Sequence, residues 1–163
     1  MQQNFLSPTG FRFLIKRLPN VSFFVQAVDI PSISITPIEY PTPLKALSVP
    51  GDRLNHEPFS ITIRVDEYMD SYNEIYDWMA GLTHPKSFDQ YKALASSEEG
   101  IYSDASLIIL DSRQNPGLEV VFRDVFPISL GQISLDTTSP NITYPTCQIT
   151  FEHNGHEVKR LKS

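Results

Sequence analysis

A single cysteine, Cys147, leaves the chain without an internal disulfide. Cys147 alternates with polar neighbours in TYPTCQITFEH, the pattern of a small buried hydrophobe rather than a nucleophile. No apolar run approaches the length of a membrane span, so no membrane insertion is expected. The start, MQQNFLSPTG, lacks a basic region followed by a long apolar stretch. No secretory signal is therefore expected, and the chain reads as a soluble protein made in a cytoplasm. Positive charge is scarce: 13 Lys and Arg stand against 19 Asp and Glu, a net charge of −6. That excludes a nucleic-acid binder that works by neutralising phosphates, though not a protein that nucleic acid passes without sticking.

The motifs of common chemistries are missing as well. There is no GxxxxGK[ST], no GxGxxG, no GxSxG and no HExxH. Gly51-Asp52-Arg53 is a charged turn, not a nucleotide loop. Of the four histidines, His56, His84, His153 and His156, the last two are close in HNGH. A zinc site needs three or four ligands in a fixed arrangement, so solvated turn histidines are expected instead. No basic stretch interleaves with the aromatic residues in the manner of a single-strand binder. No enzyme, cofactor or metal is expected.

What the chain does have is proline, 13 residues recurring between apolar runs, which favours short strands and extended loops. At 163 residues, 40% hydrophobic, it suits one domain with a real core. Residues 58–82 change hydrophobic period once. Phe59, Ile61, Ile63 and Val65 alternate with Ser60, Thr62 and Arg64, which predicts a half-buried strand. From Tyr72 the spacing is helical: Tyr72, Ile75, Tyr76 and Met79 fall at i, i+3, i+4 and i+7. Trp78 is expected to be buried or to anchor an interface. Ser71 and Glu74 read as a capping box, and Gly81 as a left-handed stop. Asp66, Glu67 and Asp70 fit the positive end of that helix better than acid–base chemistry.

Elsewhere, residues 11–16 predict a first strand and Leu18-Pro19-Asn20 a turn. Residues 21–35 read as one or two strands broken at Pro31. Residues 36–55 hold Pro37, Pro41, Pro43 and Pro50, too many for a central strand. Yet Ile38, Tyr40, Leu44, Leu47 and Val49 are too apolar for a disordered connector. An extended arm that buries these residues against a neighbour is expected. Residues 87–95 suggest a short helix capped by Ser87 and packed through Phe88, Tyr91 and Leu94 or Ala95. Strands are expected at 105–110 and 118–124, then at 128–135 after a break at Phe126-Pro127. A turn at 137–141 precedes a last strand at 143–152, with Cys147, Ile149 and Phe151 on one face. A polar, basic tail follows. The sum is a mainly β (α+β) chain: an antiparallel sandwich or barrel with one flanking helix.

Several of these residues carry a resemblance in their order and spacing. Pro50-Gly51-Asp52-Arg53 precedes the strand ending Val65-Asp66-Glu67, and YNEIYDW opens the helix. A hairpin at 105–122, the element VFPISL and the turn Ser139-Pro140-Asn141 follow. From about residue 11 to 151 the chain resembles the tail-tube family of contractile, T4-type bacteriophages, including the tube-like part of the baseplate tube-initiator. The resemblance implies a non-enzymatic virion subunit, assembled in the host cytoplasm. Its hexameric rings would join their sheets into a β-barrel and build the tube or nucleate it at the baseplate. It implies other tube, baseplate or sheath proteins as partners, and a negatively charged lumen that DNA crosses without specific binding. The arm, with Ile38, Tyr40, Leu44, Leu47, Val49, Asp52 and Arg53, would contact the next subunit or ring. Ser60, Thr62 and Arg64 are the candidate channel-facing set, and Tyr72, Ile75, Tyr76, Trp78 and Met79 lie on an outer helix. Two alternatives stay open: a tube-like ring of a type VI secretion or related injection system, and a monomeric adaptor using the 36–55 arm.

Overall fold

The computed structural model describes residues 5–83, 88–97, 100–138, 140 and 143–161. The first half runs β1 (Phe11–Ile15), α1 (Pro19–Phe24), β2 (Val25–Val28), β3 (Ile33–Ile35), β4 (Ile38–Pro41), β5 (Ala46–Val49), β6 (Leu54–His56) and β7 (Phe59–Arg64). Two helices, α2 (Asp70–Thr83) and α3 (Phe88–Ala95), lead to β8 (Ser103–Leu110), β9 (Pro116–Leu130), β10 (Thr146–Glu152) and β11 (His156–Arg160).

Seven strands form two antiparallel layers that share β9. In one layer β1, β8, β9 and β11 lie side by side; in the other, β9, β10, β7 and β2 do. The alternation read from the sequence sets their inner faces. Phe59, Ile61 and Ile63 of β7 and Cys147, Ile149 and Phe151 of β10 are buried, as are Phe13, Ile15, Leu107, Val120 and Phe122 from the other layer. Phe59 stacks on Phe122 with ring centroids 4.4 Å apart, joining the layers at the core centre. Cys147 is buried, its Sγ donates to the Gly131 carbonyl at 3.2 Å, and burial raises its thiol pKa, so it is a packing residue.

The expected break at Phe126-Pro127 does not occur: β9 runs unbroken to Leu130. Its ladder with β10 does shift register just past Pro127, between Phe151↔Pro127 and Thr150↔Ser129, and a second irregularity lies earlier, at Asp124, where φ is 53°. Buried positions are Val120 and Phe122 before that point and Val125 and Pro127 after it, so one residue of slip turns the strand from one layer into the other. The extended segment expected to reach 135 stops at Leu130. Residues 156–160 of the basic tail form β11, which pairs with β9 from His156↔Phe122 to Arg160↔Leu118.

Residues 21–24 are helical rather than extended. Pro19 sits in the first turn of α1, where its fixed φ and missing N–H suit a helix start, and Val21 is fully buried. In α2 the buried side is Ser71, Ile75, Trp78 and Gly81; Tyr72 and Met79 pack at its margin, and Tyr76 is exposed. Trp78 Nε1 donates to the Ile101 carbonyl at 3.2 Å, and the Arg17 guanidinium lies 5.2 Å from its ring. Gly81 does not stop the helix, which continues to Thr83. The α3 helix exposes Phe88 and Tyr91 instead of packing through them. Ser87, the Leu94 side chain, His84, and Ser139 and Asn141 of the expected turn lie outside the described residues.

The capping residue of α2 is Asp66, not Ser71 with Glu74. Its carboxylate accepts from Asp70 N at 2.9 Å, Ser71 N at 3.2 Å and Ser71 Oγ at 2.6 Å. Burial raises its pKa, but the Ser71 hydroxyl and the two backbone donors outweigh this and hold it below the ordinary carboxylate value. Glu74 instead accepts from Asn20 Nδ2 at 2.7 Å, tying α2 to α1. Asp66→Ala is expected to cost about 1–2 kcal/mol in urea unfolding. Glu74→Ala, which leaves the cap intact, should cost less.

Candidate assembly surfaces

The proline-rich segment is a two-tier β-hairpin. Near the body, β3 pairs with β6, from Ile33↔His56 to Ile35↔Leu54. Beyond it, β4 pairs with β5, from Ile38↔Val49 to Pro41↔Ala46. The prolines stand at the ends and between the tiers, where no ladder N–H is needed. Between the tiers a Cβ on Gly51 would collide with the Thr36 carbonyl, so glycine lets the two sides close there. At the tip, the Thr42 hydroxyl donates to the Lys45 carbonyl and accepts from Lys45 N at 3.2 Å.

Register makes the outer tier two-faced. The directly opposed pairs Ile38↔Val49 and Tyr40↔Leu47 lie on one side, with Glu39↔Ser48 and Pro41↔Ala46 on the other. All four apolar residues are exposed, and Leu44 at the tip is 99% exposed. Asp52 and Arg53, in the turn before β6, are exposed as well. Five of the seven arm residues singled out in the sequence thus form one apolar ribbon and tip, and Asp52 and Arg53 lie beside the inner tier.

A second surface is the outer face of the layer containing β7. Ser60, Thr62 and Arg64 stand opposite Thr150, Gln148 and Thr146 of β10, and Ser60 Oγ lies 3.3 Å from Thr150 Oγ1. Arg64 lies over the Tyr144 ring at 4.9 Å, and the Gln26 amide oxygen accepts from its Nε at 2.9 Å and Nη2 at 2.8 Å. Hydroxyls and amides dominate here. The only charged residues of β7 and β10 are Arg64 and Glu152, and β2 has none. A negatively charged face, as expected from the resemblance, is therefore not what these strands present; the face is polar and near neutral.

The histidines depart most from expectation. His56 ends β6 at the hairpin root, His153 follows β10, and His156 opens β11. Their rings meet with centroids 5.4–5.7 Å apart. His153 is 3% exposed; its Nε2 lies 3.1 Å from the Glu57 carbonyl and its Nδ1 accepts from Gly155 N at 3.1 Å. Among the described residues no group of histidines, cysteines or carboxylates converges to hold a metal. HNGH signalled two of the three rings; His56, nearly a hundred residues away, had no local signal.

Burial, and then the nearby His153 and His56, lower the His156 pKa from its ordinary 6.5. The folded chain refuses a proton that the unfolded chain accepts. Stability from this group is therefore complete above about pH 6.5 and declines as pH falls below it. Urea midpoints measured from pH 8 to 5 should fall on the acid side, less steeply in His156→Asn. Equal slopes in both proteins would remove the cluster from the acid response.

No protein-family model matches the chain, and no curated protein matches it in sequence. Solved structures do match over nearly its whole length. The tube-terminating cap of the anti-feeding prophage aligns with a TM-score of 0.65 at 16% identity, covering 99% of this chain and 95% of that one. A chain of the sheath/tube terminator of the extracellular contractile injection system PVC aligns at 0.63 and 14%, covering 96% and 98%. This chain has a tail-tube-like fold. A chain of the six-fold-symmetrised anti-feeding prophage baseplate agrees, with a TM-score of 0.61 at 11% identity over 98% of this chain and 97% of that one. Within the tail-tube-like fold, the hairpin and the polar sheet face both stand outside the chain's own core. No helix among the described residues is long and apolar enough to cross a membrane.

Proposed function

We propose that this chain is a non-enzymatic structural subunit of a contractile-tail tube, forming hexameric rings that build the inner tube or nucleate it at the baseplate. The observation that carries this reading is the outer hairpin. Ile38, Tyr40, Leu47 and Val49 form an apolar face left in water, although the body buries a complete core. A two-stranded ribbon is marginal alone, and such a face is stabilised when another surface covers it.

Ring closure is supported by the sheet edges. The layer β9–β10–β7–β2 is antiparallel throughout, and among the described residues β2 and the 126–130 part of β9 have one side unpaired. Setting the β9 edge of one copy beside the β2 edge of the next continues the alternation and removes both edges. The contact is head-to-tail, so it closes into a ring when its rotation fits. Six copies accord with the six-fold symmetrisation of the anti-feeding prophage baseplate. Ser60, Thr62 and Arg64 would then line the channel. A lumen of hydroxyls and amides with balanced charge offers phosphates no row of cations, so DNA passes without being held.

The partners are copies of itself and other tube, baseplate or sheath proteins, and the place is a phage tail assembled in the host cytoplasm. A ring of a type VI or related injection system would use the same wall around a different cargo. Electron microscopy of the concentrated protein, alone and with baseplate partners, should yield six-fold rings or rods with a central channel. A strictly monomeric species under both conditions would count against the reading and favour an adaptor.

A further inference from the structure

His153 also touches a peptide link with chemistry of its own. Asn154-Gly155, in the turn between β10 and β11, is the only Asn–Gly pair in the chain. Such a pair is by itself an ordinary turn signal. Its surroundings here add more. The Gly155 amide N donates to Nδ1 of buried His153 at 3.1 Å. Asn154 is exposed, and its Nδ2 donates to the Asp124 carboxylate at 3.2 Å. Asn154 N donates to the Arg123 carbonyl at 3.0 Å, and Arg123 N to the Gly155 carbonyl at 3.1 Å, so two bonds to β9 bracket the link. Gly155 has φ 142°, a conformation that side chains rarely adopt. The backbone therefore calls for glycine there, and glycine places no side chain over the Asn154 amide. A backbone nitrogen attacks the side-chain carbonyl of a preceding asparagine only after losing its proton. For so weak an acid that loss is the difficult part, and a base already on the N–H is what the step needs.

We propose that Asn154-Gly155 is a self-modification site, at which His153 acts as general base and Asn154 is converted to aspartate and isoaspartate. His153 Nδ1 takes the Gly155 N–H proton as that nitrogen bonds to Asn154 Cγ. The Cγ–Nδ2 bond breaks, and Nδ2 leaves as ammonia after gaining one proton, so the protons balance. Water then opens the five-membered imide. Opening at Cγ leaves aspartate; opening at the main-chain carbonyl leaves isoaspartate, whose backbone is one methylene longer. Either product sets a carboxylate where the amide had faced Asp124, turning attraction into like-charge repulsion. The longer link also separates the two bonds to Arg123. The other titratable groups around the turn are His56 from β6, His156 from β11 and Asp124 from β9. Glu157 is paired with Arg123 and Lys159, Glu57 presents its backbone carbonyl to His153, and Glu152 belongs to the polar outer face of β10.

The site is complete in one chain, so its test is independent of the ring reading. Peptide mass mapping that resolves aspartate from isoaspartate follows residue 154 in the whole protein, folded in neutral buffer and unfolded in urea. A hydrogen-bonded turn without a base would protect the asparagine, so folding would slow the reaction. With His153 as base, the folded chain should convert about tenfold faster than the unfolded one. Its rate should level off with rising pH, whereas the unfolded chain, relying on hydroxide, climbs about tenfold per pH unit. His153→Asn keeps an acceptor for Gly155 N but no base, and should slow the folded reaction about tenfold. If that variant melts too early to be read folded, the pH profile of the parent protein decides. In the converted chain, hydrogen exchange at Arg123 N should quicken about fivefold, as expected for one lost hydrogen bond. A folded rate equal to or below the unfolded one overturns the proposal. So does a folded rate that climbs with pH as the unfolded one does, or that survives His153→Asn in a folded variant.

Discussion

Phe59→Ala is expected to lower the unfolding free energy by about 3–5 kcal/mol, the usual cost of removing a fully buried aromatic side chain. Phe59 is 1% exposed and lies where the two layers meet. Its ring stacks on Phe122 at 4.4 Å and Phe151 at 5.5 Å, and approaches Phe13 at 6.2 Å. A cavity there cannot be filled from one side, because rigid strands hold every neighbour in place. For a chain of this size, the loss should lower the melting temperature by roughly 10 °C. Ser60→Ala, one residue along and on the opposite face, should change stability by less than about 1 kcal/mol. The contrast, read by urea unfolding, checks which face of β7 is core. Equal costs at both positions would mean that the register of this strand is wrong. Phe59 also touches His153, at 5.7 Å, so its loss should loosen the hairpin root as well.

Removing residues 38–49 and joining the flanks through a short turn is expected to abolish higher-order assembly while leaving thermal unfolding nearly unchanged. The sheet edges that we propose close the ring lie in the body, so isolated rings are expected to persist under concentrated conditions while rods disappear. The physical basis is the separation between the tiers and the core. The pairings of β4 and β5 are with each other, and their apolar side chains contribute exposed surface in the isolated chain. Little folding energy is lost with them, but the face available to another copy is. Sedimentation together with calorimetry would measure both effects. A large drop in melting temperature would show that the outer tier stabilises the body, contrary to its exposure. Rods of ordinary length would show that stacking uses other surfaces.

Much of the body was legible because one-sided burial writes itself as alternation. The sequence alone determined β7, β10 and the core side of each, since Phe59, Ile61 and Ile63 and then Cys147, Ile149 and Phe151 obey a period of two. It also determined that a helix follows β7, and that the proline-rich arm is too apolar for a disordered connector. Period and local chemistry are properties of neighbours along the chain, so they need no fold to be read. Where two local readings competed, only tertiary structure chose. Residues 21–24 became helical because Pro19 starts a turn that buries Val21, and Asp66 rather than Ser71 capped α2 because the chain bends back over the helix start. The slip at Asp124 and the pairing of β11 with β9 depend on partners far along the chain. The same holds for the meeting of His56 with His153 and His156. The stretch 58–82 names the fold class through its periods, but the stacking of Phe59 on Phe122 of the other layer is a property of the folded body, because it is set by which distant strands the chain brings together.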